Sequence, residues 1–288
     1  MSSAAPVSPP IELKPTPWDG TGGERWARNV DAYEVMLSDI GDALLDRAAL
    51  VPGLSVVDIG CGGGRTSREI ARRVSPGGSV AALDISATLV DLAAARAAAD
   101  GLDNVRFVTG DAQRAALDGG PFDRVMSRFG IMFFADPAAA FANIRSFLKP
   151  GGRADFAVWD APQTNPGVSA LPVVARRHLP LPPADPRAPG PFSLCDAAYF
   201  AELLDGAGFG DVAFAQWQGV VHIGGKVGLH QAAAFTLRSA SMADIVDDQP
   251  AQIRDAIYAD LVTLLEPYDR PEGVAVPSSV WLVTASAR

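Results

Sequence analysis

The chain has 288 residues, 48% of them hydrophobic and 20% charged, enough for one sizeable core and short enough for a single elaborated domain. Its net charge is −9, and its basic residues are scattered as singles or pairs such as Arg72-Arg73 and Arg176-Arg177, which argues against nucleic acid, since a phosphate backbone needs a positive surface. Two distant cysteines, Cys61 and Cys195, exclude a disulfide framework and a thiolate metal site, and no apolar run approaches the roughly 20 residues of a membrane helix; a cytoplasmic protein without metal or membrane partner is expected.

Residues 1–17 are rich in Pro, Ser and Ala with no basic start before an apolar stretch, which reads as a disordered tail and not as a secretion signal. Residues 18–288 then form the domain. Between Gly20 and Leu50, Trp26, Val30, Tyr33, Met36, Leu37, Ile40, Leu44 and Leu45 recur at threes and fours, the period of an amphipathic helix, with a break expected near Gly41. A short β-branched run, Ser55 to Ile59, leads into Gly60-Cys61-Gly62-Gly63-Gly64 and a helical stretch over Thr66 to Val74. Strands at Ser79 to Asp84, Val105 to Thr109, Phe122 to Ser127 and Gly152 to Trp159 alternate with helices at Ala87 to Ala99 and Pro137 to Leu148. That alternation implies parallel pairing with right-handed crossovers.

Nine prolines lie between Pro162 and Pro191, so about 160–195 is expected to form an excursion or lid with a short helix around Ser169 to Arg177. A helix over Asp196 to Ala207 stops at Gly208, a position suited to a left-handed cap. Val212 to Ile223 alternates as a strand, a helical insertion fills about 226–268 with helices at Leu229 to Ala240 and Gln252 to Leu265, and Val280 to Ala285 closes the chain as a strand.

The chemistry concentrates at the glycine loop. Glycines where a parallel strand enters a helix let the backbone turn sharply and approach a ligand. A dinucleotide fingerprint needs Gly-x-Gly-x-x-Gly, and counting from Gly60 and Gly62 puts Arg65 at the third position, which disfavours a nicotinamide-dependent oxidoreductase. Asp84, 24 residues after Gly60, ends the second strand, where a carboxylate can accept from both hydroxyls of a ribose. Gly110-Asp111-Ala112 ends the third strand on the same edge. Each acid also has a plain structural reading: Asp58 as a cap of the loop, Asp84 as a helix N-cap near Ser86, Asp111 as a turn former.

With Asp58-x-Gly60-x-Gly62-x-Gly64, Asp84, Asp111-Ala112 and the turn Leu148-Lys149-Pro150-Gly151-Gly152, the chain resembles the class I S-adenosylmethionine-dependent methyltransferases, in particular their ubiquinone/menaquinone-biosynthesis-like small-molecule branch. The resemblance is strong over Trp18 to Trp159. It implies a doubly wound α/β fold with a seven-stranded, mostly parallel sheet in the order 3-2-1-4-5-7-6, Val280 to Ala285 being the seventh strand. It implies that Asp58, Gly60, Gly62 and Gly64 wrap the methionine part of S-adenosylmethionine, that Asp84 holds the ribose, that Ile85, Asp111 and Ala112 meet the adenine, and that Trp26 closes over the cofactor. Ser127 joins this set after the fourth strand, with Arg128 as the alternative lining residue. Nucleobase-methylating relatives carry an Asn/Asp-Pro-Pro-aromatic segment there, and this chain has Ser127-Arg128-Phe129-Gly130.

The implied activity is methyl transfer to the O, N or C nucleophile of a small, aromatic or natural-product-like acceptor, the alternatives being the oxidoreductase and a non-catalytic S-adenosylmethionine-binding module. Among His178, His222 and His230 no metal-ligating pair stands at helical spacing, and His178, within the proline-rich excursion, is the weak candidate for a general base. Oligomeric state leaves no signature in the sequence.

Overall fold

The β-branched and alanine-rich runs pair into one sheet. In a computed structural model that describes residues 11, 13, 15–239 and 242–288, β1 (Ser55–Ile59), β2 (Ser79–Asp84), β3 (Val105–Thr109), β4 (Phe122–Arg128) and β5 (Leu148–Trp159) run parallel in the order β3-β2-β1-β4-β5. Val56, Val57, Val125 and Ala154 are fully buried, as expected of strands covered on both faces by crossover helices. Those crossovers include α4 (Arg65–Val74), α5 (Ala87–Ala99) and α6 (Pro137–Ser146). The sheet continues through β8 (Gly273–Ala287), antiparallel to β5 and to β6 (Phe209–His222), while the two-residue β7 (Asp269–Arg270) pairs with the start of β8. Apart from β7, the order is the expected one, with the closing strand inserted between the fifth and sixth.

Register places the site. Ile59 lies opposite Leu83, Asp58 opposite Met126 and Asp84 opposite Thr109, so the loops leaving β1, β2, β3 and β4 emerge at one edge, the carboxyl ends of the strands, where ligands of open α/β sheets bind.

Several boundaries differ from expectation for identifiable reasons. The N-terminal segment is three helices, α1 (Thr21–Arg28), α2 (Val30–Met36) and α3 (Ser38–Ala48), broken at Asn29 and Leu37 and not at Gly41. Asn29 leaves helical geometry at φ −116°, ψ 11°, its amide donating back to the Arg25 carbonyl at 2.8 Å. Gly41 stays helical, and a Cβ there would lie 3.0 Å from the Arg128 guanidinium, so the glycine makes room for that side chain.

Within the excursion, α7 (Ala170–Ala175) buries Ala170, Leu171, Val174 and Ala175, and fully buried Asn165 is bonded in both directions to the Ser279 backbone of β8. The exposed stretch is only 183–188. Beyond α8 (Ala197–Gly206), Gly208 takes the expected left-handed conformation at φ 89°. The insertion holds α9 (Leu229–Ser239) and α11 (Ala251–Leu265), together with a short α10 (Ala243–Asp247) too brief to show a period. Ala240, the expected end of α9, lies outside the described residues, as does most of the tail; Ile11, which is described, packs on the core and its N–H donates to Pro180 at 3.4 Å. Among the described residues no helix is long and apolar enough to cross a membrane.

Candidate functional site

At the carboxyl edge of the sheet, Trp26, Val30, Tyr33, Glu34 and Leu37 face Asp58, Gly60, Cys61, Gly62, Gly63, Thr66 and Arg128 across a narrow cleft. One wall is the strand-to-helix loop from β1 to α4; the other is the face of α1 and α2 that the helical spacing exposes.

The loop's glycines have separate reasons. Gly60 has φ 67°, and a Cβ on it would stand 2.6 Å from Gly130 Cα, so the first glycine lets the β1 and β4 loops touch. Gly64 has φ 80°, and its Cβ would meet Ala93 at 2.7 Å, so the last one serves packing of the loop on α5. Gly62 opens toward the indole nitrogen of Trp26, 3.4 Å from its would-be Cβ, and its N–H donates to Asp84 Oδ2 at 2.8 Å.

Asp84 also accepts from the Ser86 N–H at 2.9 Å. Burial raises its pKa, against backbone donors at Ser86, Gly62 and Ile85, and it ties β2 to the glycine loop. Ile85 beside it is 38% exposed, an apolar surface on the rim. Asp58 accepts from the Ser67 hydroxyl at 2.6 Å. No other hydrogen bond holds its carboxylate among the described residues, and burial pushes it up to about 7 against that hydroxyl and Arg128. The structural reading of Asp58, an anchor for the loop, thus accounts for one oxygen.

Asp111 is engaged by its own loop: it accepts from the Gln113 N–H at 3.0 Å and from Arg114 Nε at 3.0 Å. Its pKa falls because those donors outweigh the burial that would raise it. Ala112 is buried, its carbonyl accepting from Asn143 at 2.9 Å.

Trp26 stacks on Tyr33 at 3.6 Å between ring centres and 7° between planes. Tyr33 donates to the Ser239 carbonyl at 3.0 Å, and burial pushes its phenol up to about 12, so it stays protonated.

Two expected residues stand elsewhere. Ser127 is fully buried with its hydroxyl donating to the Ile59 carbonyl at 2.7 Å; it clasps β4 to β1 and does not face the cleft. His178 bonds Asp260 at 3.1 Å through Nε2 and does not line the cleft, nor does any residue of 160–195. Conversely, Tyr33, Glu34 and Leu37 line it without having been singled out as site residues. They recur at helical spacing with Trp26 and Val30, and that signal is the same as for a core-facing helix.

The donor set suits an adenosyl amino acid. One end of the cleft holds the half-free Asp58 carboxylate and the Arg128 guanidinium, matched to an α-ammonium and an α-carboxylate; the loop's other end holds Asp84 beside exposed Ile85, matched to a ribose and an apolar ring.

Comparison with known proteins agrees. Residues 56–152 match the family model described as "Methyltransferase domain". A nocamycin O-methyltransferase of Saccharothrix syringae is 38% identical over 110 residues, covering 38% of this chain and 39% of that protein. A ubiquinone/menaquinone biosynthesis C-methyltransferase of Hahella chejuensis is 32% identical over 139 residues, covering 48% and 55%. The chain thus spans about half the length, or less, of the curated relatives it matches. The solved YcgJ protein of Bacillus subtilis superposes with a TM-score of 0.59 at 18% identity, over 87% of this chain and 99% of that one, a likeness of fold. Residues 56–152, glycine loop and Asp84 included, carry a methyltransferase domain.

Proposed function

We propose that the chain transfers a methyl group from S-adenosylmethionine to a small-molecule acceptor. The carrying observation is the convergence of Asp58, the glycine loop and the Trp26–Tyr33 stack on one cleft at the carboxyl edge of the sheet, with Asp84 bonded to that loop through the Gly62 N–H. Bound there, S-adenosylmethionine supplies an electrophilic methyl on its sulfonium. Asp84 accepts from the ribose hydroxyls, Ile85 flanks the adenine, and the backbone at Asp111-Ala112 meets its edge, since the Asp111 carboxylate is already occupied by Gln113 and Arg114. Trp26 and Tyr33 cover the loop and exclude water. Holding acceptor and methyl in line can itself supply on the order of 7 to 11 kcal/mol, so no covalent intermediate is required.

Tyr33 is held protonated and His178 lies off the cleft, so the base is assigned to neither; an acceptor that ionises in water needs none. The names of the relatives, methyltransferases of nocamycin and of ubiquinone/menaquinone biosynthesis, support a natural-product-like or aromatic acceptor. A role of the excursion at 160–195 in covering that acceptor is supported by Gly190 and Ser193, which donate to the Met132 carbonyl at 3.0 and 2.6 Å, just past the end of β4, although the excursion does not line the cleft itself. Two unpaired cysteines support a cytoplasmic location. Thermal unfolding tests the reading: S-adenosylhomocysteine at 100 times its Kd stabilises by about 2.7 kcal/mol and NAD does not, whereas stabilisation by NAD alone contradicts it.

A further inference from the structure

Four guanidiniums gather around the glycine-loop end of the cleft, and three are already matched. Arg65 stands 3.5 Å from Asp42, Arg68 bonds Asp100 at 2.8 Å and Arg96 bonds Glu34 at 3.0 Å. Arg128 differs. Among the described residues it has no carboxylate within 4.0 Å, and its single hydrogen bond runs from Nη1 to the Leu37 carbonyl at 3.0 Å. A guanidinium carries five donors in a rigid fork that fits a carboxylate, so most of this fork is unspent, in a residue that lines the cleft.

Its placement is also built. Gly41 leaves the space that the guanidinium fills. Phe129, the next residue, sits at φ 65°, a left-handed conformation that a bulky non-glycine residue seldom adopts. It is held there by stacking on Trp159 at 4.3 Å and by its N–H donating to Ala157 at 2.9 Å. Burial and the neighbouring Arg65 charge push Arg128 down to about 10, still charged at neutral pH, so an anion beside it would relieve an unfavourable environment. Across the loop, Asp58 supplies the opposite charge, so the two ends of a zwitterion have separate partners.

We propose that Arg128 holds the α-carboxylate of the methionine moiety of S-adenosylmethionine. This assignment rests on the cofactor reading above and adds to it a residue outside the glycine loop. The test compares calorimetric affinities for S-adenosylmethionine and its decarboxylated form, which keeps adenosine, sulfonium and ammonium and lacks only the carboxylate. The wild-type chain prefers the carboxylated ligand by roughly 10- to 100-fold, and Arg128→Gln abolishes that preference while binding the decarboxylated ligand as the wild type does.

Should Arg128→Gln not fold, Arg128→Met carries the same comparison with a side chain that needs no polar partner. A folded variant that keeps the wild-type preference overturns the assignment, as does a wild-type chain indifferent to the carboxylate. A wild-type chain that binds neither ligand overturns the cofactor reading itself.

Discussion

Asp84 and Asp58 are buried carboxylates held in different ways: each oxygen of Asp84 accepts from a backbone N–H, of Ser86 and of Gly62, while Asp58 accepts, among the described residues, from the Ser67 hydroxyl alone. Asp84→Asn keeps the side-chain volume and one acceptor oxygen but puts a donor against the ribose. It is expected to weaken S-adenosylhomocysteine binding at least about tenfold, a loss of about 1.4 kcal/mol, and to lower the unfolding temperature as well, since the new amide group faces the Gly62 or the Ser86 N–H; titration calorimetry on the folded variant checks the loss of binding. Asp58 predicts a pH signature. Its folded value of about 7 lies above the ordinary 3.8, so between those values the folded chain binds more protons than the unfolded one, and its stability falls as pH rises through that window. Affinity for a ligand ammonium moves the other way, because only the ionised carboxylate attracts it. Asp58→Asn should flatten both slopes, seen by thermal unfolding and calorimetry from pH 5 to 8. Spacing together with family resemblance pointed to Asp58, Gly60, Gly62 and Asp84, which strand order brings to one edge of the sheet, whereas the burial of Ser127 and the pairing of His178 with Asp260 depend on contacts far apart in sequence.

Each element at the cleft is set by close packing. Because a Cβ at Gly64 would overlap Ala93 of α5 in a left-handed backbone, Gly64→Ala should destabilise by more than about 1 kcal/mol, read as a fall in unfolding temperature. α1 and α2 form the wall opposite the glycine loop and are joined through the break at Asn29, so ligand should slow amide exchange across 21–36 more than in the distant β6–β8 pair. Equal protection in both would mean that these helices do not close on the ligand. The strands and long helices were readable because β-branched runs and 3.6-residue periods are local signals. The breaks at Asn29 and Leu37 were not, since the apolar period runs through them, and the early start of β8 at Gly273 is set by pairing with β6 and β7.

For the whole molecule, strand order brings the separate signals together. Asp58, Asp84 and Asp111 are spread over 54 positions of sequence, yet β3-β2-β1 adjacency puts the ends of their strands side by side. The order 3-2-1-4-5 followed by an antiparallel pair was legible from alternation and from family resemblance. What covers the sheet was less so: the short helix expected around Ser169 to Arg177 is present as α7, yet it packs into the core where an excursion over the sheet's edge was expected. The same fold supports more than one chemistry, so the cofactor's pose is the decisive observation. A structure determined with S-adenosylhomocysteine is expected to show both ribose hydroxyls within about 2.5 to 3.0 Å of the Asp84 carboxylate and the amino-acid end between Asp58 and Arg128. A ligand seated elsewhere, or with its ribose away from Asp84, would contradict the account.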